Sequence, residues 1–196
     1  MPDELKPRLV YAPEVPSQSW RNGGGETREL LVWPEERNTW QVRVSLARID
    51  QDGPFSEFPG VERWFTVIEG AGVQLRFDSR ELRLDTHTEP LRFDGGQAPY
   101  CKLLDGPTSD LNLMCRGGKG RLQIADSGVA WEPHAEHCGV FTRTAGVWRD
   151  EAGTPIALAA KTLLWITSGI QRASFEASAV LAGPVAYWLA FSPGPR

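Results

Sequence analysis

Cysteine, histidine and excess positive charge are all scarce in this chain of 196 residues. Three cysteines, Cys101, Cys115 and Cys138, are too few, and odd in number, for a disulfide framework. A reducing cytoplasm is therefore the expected location. The formal net charge is −4; without a basic stripe, nucleic acid is not an expected partner. No stretch approaches the roughly 20 apolar residues that cross a bilayer, so no membrane span is expected. Met1 to Val10 carries acid and proline in place of an apolar h-region, so no signal peptide is expected either. Motifs for phosphate cradling and for a serine nucleophile elbow are missing.

Metal chemistry has little to work with. Only His134-Ala135-Glu136-His137-Cys138 groups good ligand types. It follows Trp131-Glu132-Pro133 and precedes Gly139, which reads as a loop, and the remaining histidine, His87, stands alone. No metal and no cofactor are expected. Cys101 and Cys115 read as small core residues.

What the chain has in quantity is turn formers and large apolar side chains. Gly 20 and Pro 15 are spread along its length, hydrophobic residues make up 41%, and Trp 8 and Phe 8 supply aromatic area. Scattered turns between short strands point to an all-β fold. Period-2 alternation recurs over Thr39–Ile49, Glu62–Glu69, Gly72–Phe77 and Asp110–Arg116. Turn signals such as Asp52-Gly53-Pro54, Pro59-Gly60 and Asp94-Gly95-Gly96 separate the runs. Strands at this spacing suggest a sandwich or barrel. Pro155–Thr167 tolerates a short helix but fits a pair of buried strands nearly as well. A change of phase after Gly117 suggests two β lobes, residues 1–118 and 119–196, with strand exchange between them allowed.

Alternation places Arg43 with Ser45, Arg63 on the next long strand, and Asp110 with Asn112 on a later one. Turned inward, these faces would bring two guanidiniums, a hydroxyl, a carboxyl and an amide to one hollow. A buried guanidinium needs a partner, and its planar fork suits a carboxylate. Turned outward, the same faces would simply be solvated. The run Trp20-Arg21-Asn22-Gly23-Gly24-Gly25 is either an anion-binding nest of N–H groups or a surface loop.

Taken together, Trp20-Arg21-Asn22-Gly23-Gly24-Gly25 with Thr27-Arg28-Glu29, Trp40-x-x-Arg43-x-Ser45-x-Ala47, Gly53-Pro54-Phe55-Ser56-x-Phe58-Pro59-Gly60 with Arg63, and Asp110-Leu111-Asn112-Leu113-Met114-x-Arg116-Gly117 resemble the HutD/Ves family. The resemblance spans about residues 16 to 118. It implies a double-stranded β-helix (cupin) fold, a bicupin with two jelly-roll-like barrels, and a possible homodimer. It implies a small-molecule binder with a regulatory role in histidine utilisation or the stress response. The partner would be a small anionic metabolite, formylglutamate- or urocanate-like. Ligand-binding residues would be Asn22, Arg28, Arg43, Ser45, Arg63, Asp110 and Asn112. In the resembled fold, Phe58-Pro59-Gly60 stands where metal-binding cupins carry histidines, and Arg63 stands near their glutamate. A cation there repels a metal and attracts an anion. The alternative is a metal-free enzyme, an isomerase or hydrolase acting on a small acid, with Asp110 as its base. Two neighbouring arginines would lower the pKa of Asp110, which counts against that role.

Overall fold

Alternating apolar and polar side chains over runs of four to nine residues produce strands almost everywhere in this computed structural model, which describes residues 7–35, 39–167 and 169–194. Residues 1–6, read above for a leader, lie outside the described residues. In chain order the first strands are β1 (Arg8–Tyr11), β2 (Ser17–Ser19), β3 (Gly25–Trp33), β4 (Val42–Ile49), β5 (Gly53–Pro54) and β6 (Val61–Glu69). Next come β7 (Val73–Arg76), β8 (Glu81–Leu84), β9 (Leu91–Asp94), β10 (Tyr100–Leu103), β11 (Thr108–Arg116), β12 (Gly118–Ala125) and β13 (Ala130–Trp131). The last are β14 (His137–Thr142), β15 (Gly146–Asp150), β16 (Pro155–Leu158), β17 (Thr162–Ile166), β18 (Ala173–Ala177) and β19 (Ala186–Pro193). One short 3-10 turn, Ala12–Glu14, is the only helical element among the described residues. The helix-tolerant run thus forms two strands, β16 and β17, which lie in different sheets. No helix among the described residues is long and apolar enough to cross a membrane.

The chain forms two units. One comprises residues 15–119; the other combines residues 120–196 with the N-terminal residues 1–14. The N-terminal strand falls outside the first lobe drawn from sequence because β1 pairs with β17, Leu9 opposite Leu164.

In the unit of residues 15–119, a six-stranded sheet, β2-β3-β4-β11-β6-β9, faces a four-stranded sheet, β5-β10-β7-β8. Ile49, Phe65, Val67 and Phe93 from the first sheet pack on Val73, Leu75, Leu84 and Cys101 from the second. Removing roughly 1.5–3 kcal/mol of apolar exposure per such side chain holds the sheets together. The opposite face of the six-stranded sheet, including Val42, Val44, Leu111 and Leu113, is also buried. In the other unit, the sheet β1-β17-β14-β19-β12 faces β13-β18-β15-β16. Its interior is filled by aromatic rings. Trp131 stacks on Trp188 at 4.7 Å, and Trp148 and Phe175 complete the filling.

Candidate functional site

Register decides which side chains meet. On β11, Asn112 lies opposite Ser45 of β4 and Phe65 of β6, while Met114 lies opposite Arg43 and Arg63. On β3, Glu29 lies opposite Ser45. Directly opposed residues of an antiparallel ladder share a face. Glu29, Arg43, Ser45, Arg63, Asn112 and Met114 therefore share the face that, further along, carries the core residues Phe65, Val67 and Ile49. On this face Ser45, Arg63, Asn112 and Met114 are buried, while Arg43 and Glu29 stay partly exposed.

Arg63 is the centre of this group. It is 5% exposed. Its Nη2 donates to Asn112 Oδ1 at 3.2 Å and its Nη1 to the Ser56 carbonyl at 3.3 Å, while its Nε has no hydrogen-bond partner. Phe55, Phe58 and Phe93 surround the guanidinium with ring centroids at 5.1, 5.5 and 5.1 Å. Cation–π contacts of this kind replace part of the lost hydration. No carboxylate pairs with Arg63 among the described residues. Burial, and then the nearby Arg43 charge, lower its pKa from the ordinary guanidinium value to about 10, so it remains a cation at neutral pH.

Arg43 stands at the rim of the same face. Its Nε lies 2.7 Å from Glu29 Oε2, yet the N–H is not directed at that oxygen and Nε has no aligned hydrogen bond. The contact is Coulombic. Both residues line a cavity of about 190 Å3, together with Gln18, Val32 and Trp40. Trp40 is held by Arg116, whose guanidinium lies 4.6 Å from the ring centroid. A larger hollow, about 440 Å3, is lined by Gly60, Val61, Glu62, Arg92, Phe93 and Asp94. There Glu62 and Arg92 form a close ion pair, at 2.5 Å, and Asp94 adds a second carboxylate, so the hollow does not suit an anion.

Asp110 points inward but sits apart. It is fully buried, two inward positions beyond Met114, about 13 Å along the strand. Its Oδ2 accepts a hydrogen bond from the Thr108 hydroxyl at 2.9 Å, and Oδ1 has no partner. Burial raises its pKa well above the usual carboxylate value, and the Thr108 hydrogen bond opposes this only in part. The expectation that arginines lower this pKa is corrected: no arginine contributes, and desolvation dominates.

Two expected site residues lie elsewhere. Arg28 sits opposite Leu46, on the other face of the sheet from Glu29 and Ser45. Its guanidinium donates to the Val15 carbonyl and approaches Glu26 at 3.8 Å. Asn22 is exposed in the turn between β2 and β3, where its Oδ1 accepts the Gly24 N–H at 3.1 Å. Gly23 takes a φ of +69° and donates its N–H to Trp20. A Cβ on Gly25 would lie 2.1 Å from the Arg48 carbonyl oxygen, so only glycine lets β3 and β4 approach there. The glycines thus build a tight turn whose Gly23 and Gly24 N–H groups are already used. Gly25 pairs with Ile49, six residues from Arg43 and about 20 Å along β4.

The His134–Cys138 group does not converge. His134 is mostly exposed, near Glu132 at 3.6 Å. His137 is buried against Trp165 and Phe191. Cys138, the next residue on β14, faces the aromatic core. Among the described residues, no three His, Cys, Asp or Glu side chains gather as a metal site.

Comparison with known proteins adds to this geometry. The family model described as HutD matches residues 12–182. Protein Ves of Escherichia fergusonii is 32% identical over 139 residues, 69% of this chain and 72% of that protein. An uncharacterized 21.2 kDa protein in the hutC 3′ region of Pseudomonas putida is 35% identical over 108 residues, 55% of this chain and 57% of that one. A conserved protein of unknown function from Pseudomonas aeruginosa PAO1 superposes with a TM-score of 0.82 at 28% identity, covering 96% of this chain and 99% of that one. HutD from Pseudomonas fluorescens SBW25, solved in a formate condition, superposes with a TM-score of 0.80 at 26% identity, covering 95% and 98%. Oxalate decarboxylase of Bacillus subtilis shares the fold alone, with a TM-score of 0.59 at 10% identity over 96% of this chain and 78% of that one. The architecture is that of a bicupin, with two jelly-roll-like lobes in one chain.

Proposed function

We propose, from the premise that the chain belongs to the HutD family, that the lobe of residues 15–119 binds a small carboxylate metabolite through Arg63 and Arg43. One observation carries this reading: Arg63 is a buried cation with no acid partner among the described residues. Burying an unpaired charge costs several kcal/mol, so such a group persists where something else repays it. Three phenylalanines soften the cost, and a second positive charge nearby works against them. A bound anion would relieve both problems. Arg43, whose charge is felt at Arg63, lines a cavity on the same face of the sheet. Ser45 and Asn112 share the face and supply hydrogen bonds. Formate, the smallest carboxylate, was present in the condition of the P. fluorescens HutD structure. Formylglutamate- or urocanate-like acids are the candidate ligands, and sensing one of them would suit a regulatory role in histidine utilisation or stress.

The alternative, a metal-free enzyme with Asp110 as base, gains no support. Asp110 is fully buried, four residues along β11 from the Met114 that faces the arginines, and its carboxyl is hydrogen bonded to Thr108 alone.

Arg63→Met tests the proposal with two readouts. Methionine fills the space between the rings and removes the charge. Titration calorimetry with formate, acetate, formylglutamate and urocanate should show the tightest binder weakened by about 2 kcal/mol or more, as for truncation of a buried charged partner. The unliganded variant should be at least as stable as the parent, because a buried charge has gone. Unchanged affinity in the folded variant refutes the role of Arg63.

A further inference from the structure

Arg63 is the charge on which the carboxylate reading rests, and its surroundings leave a ligand little room. Only 5% of the residue is exposed, its Nε is sealed from solvent, and its two Nη atoms hold Asn112 Oδ1 and the Ser56 carbonyl. The walls of this enclosure are built differently. Asn112 lies on β11, inside the six-stranded sheet, and Phe93 lies on β9, directly opposite Arg63 in the ladder. Phe55, Ser56 and Phe58 lie instead on the irregular segment between β5 and β6. Two backbone hydrogen bonds dock that segment: Phe55 N–H donates to the Pro99 carbonyl at 3.0 Å, and Phe58 N–H to the Gly95 carbonyl at 2.7 Å. Only glycine fits at Gly95, where a Cβ would lie 2.8 Å from the Phe58 carbonyl oxygen and 3.3 Å from Arg63 Cδ. The segment ends in the turn Phe58-Pro59-Gly60-Val61, closed by Val61 N–H on the Phe58 carbonyl at 3.2 Å, with Gly60 at a φ of +74° as a type II turn requires. Space around that turn is open, since a Cβ on Gly60 would meet nothing within 4 Å. Ser56 and Glu57 are exposed, and Phe55 and Phe58 are half-buried.

We propose that residues 55–58 form a strap that shuts Arg63 away until it swings outward, and that a carboxylate enters by taking the place of the Ser56 carbonyl. This rests on the carboxylate reading above and adds the route of entry and its control. The exchange has a direction. Ser56 offers the guanidinium a neutral oxygen, whereas a carboxylate offers a charged one, and such hydrogen bonds are roughly twice as strong. A carboxylate also brings a second oxygen for the Nε–H, which the closed strap leaves without a partner. Opening gives up the two docking hydrogen bonds and the contacts of the Phe55 and Phe58 rings with the guanidinium. The closed state therefore dominates without ligand, and the apparent dissociation constant is the intrinsic one divided by the open fraction. A short segment outside the strand ladders, with its outer side in water, is the kind of element that opens locally while the sheets stay intact.

2,3-Butanedione, a small arginine reagent, reads access to the guanidinium whatever the ligand. Peptide mass spectrometry on the full chain should show Arg63 modified about tenfold or more slowly than Arg48 and Arg92, whose side chains are more than half exposed. Phe58→Ala takes a half-buried ring off the strap and should speed modification of Arg63 about fivefold or more, with both controls unchanged. A melting curve checks that the variant is folded. Hydrogen exchange on the parent gives a second readout: the Phe55 and Phe58 amides should exchange about a hundredfold or more faster than the ladder amides of β11. If Arg63 of the parent reacts as fast as Arg92, if Phe58→Ala leaves its rate unchanged, or if the strap amides exchange as slowly as those of β11, the gate is overturned. N-formylglutamate and urocanate separate the two proposals, because a bound acid should shield Arg63 from the reagent. If neither acid binds in calorimetry or shields Arg63 while Phe58→Ala still speeds its modification, the carboxylate reading falls and the strap stands as the barrier over Arg63.

Discussion

Replacing Asp110 by asparagine removes one ionisation from the core of the first lobe and changes almost nothing else. The side chains are of equal size. The Thr108 hydroxyl, 2.9 Å from Oδ2, can donate to the amide oxygen instead. Oδ1 has no partner, so the amide nitrogen put in its place loses no hydrogen bond. The consequence for stability follows from linkage. In the unfolded chain an aspartate titrates near 3.9. In the fold, burial holds Asp110 well above its ordinary value. Between those two values the native state keeps a proton that the unfolded state has released, so stability falls as pH rises. The benefit is complete below the unfolded value and is lost as pH climbs to the folded one. One proton sets a slope of up to about 1.4 kcal/mol per pH unit within that window. Asparagine has no such slope. Urea unfolding of both proteins at several pH values from about 5 to 8 measures the difference, and subtraction cancels the other titrating groups. The difference should move steadily in favour of asparagine as pH rises. Parallel stability profiles, or a wild type that gains on the variant, would show that Asp110 is ionised in the fold and would refute the reasoning.

Gly25→Ala should destabilise the chain by roughly 1–3 kcal/mol, because its Cβ would meet the Arg48 carbonyl at 2.1 Å; a change within about 0.5 kcal/mol in urea unfolding contradicts the observed packing of β3 on β4. His137 is held below its ordinary pKa chiefly by burial, so the unfolded chain takes up a proton first as pH falls. Stability should decline as pH drops from about 6.5 toward the lowered value. His137→Phe, placed between the Trp165 and Phe191 rings, should flatten that decline in melting curves, and an unaltered pH profile counts against it.

Much of the inner face was legible from period 2 alone. Arg43, Ser45, Arg63 and Asn112 fall on one side of their strands, and the ladder puts those sides together. Glu29 was not legible as a site residue. The register shifts between Glu29 and Leu31, so alternation through β3 breaks where it would have marked the residue. The same strand shows why Arg28 was misplaced: adjacent residues point to opposite faces, and motif membership carries no parity. The phenylalanine cage combines the segment before β6 with Phe93 of β9, a meeting made by topology across some thirty residues. Asn22 and its glycines were open between nest and loop, because both uses favour the same residues. For Asp110, alternation gave direction but not depth. The apolar neighbours that raise its pKa come from other strands and are invisible in its own.

Crystals transferred in parallel into acetate and into chloride give the most direct test of anion binding by the arginine pair. The difference map should show a carboxylate on the inner face, at the charge-assisted distance of about 2.7–2.9 Å from the guanidinium of Arg63 or Arg43. A map with acetate only on the outer surface, and the Arg63 guanidinium unliganded at saturating acetate, would contradict it.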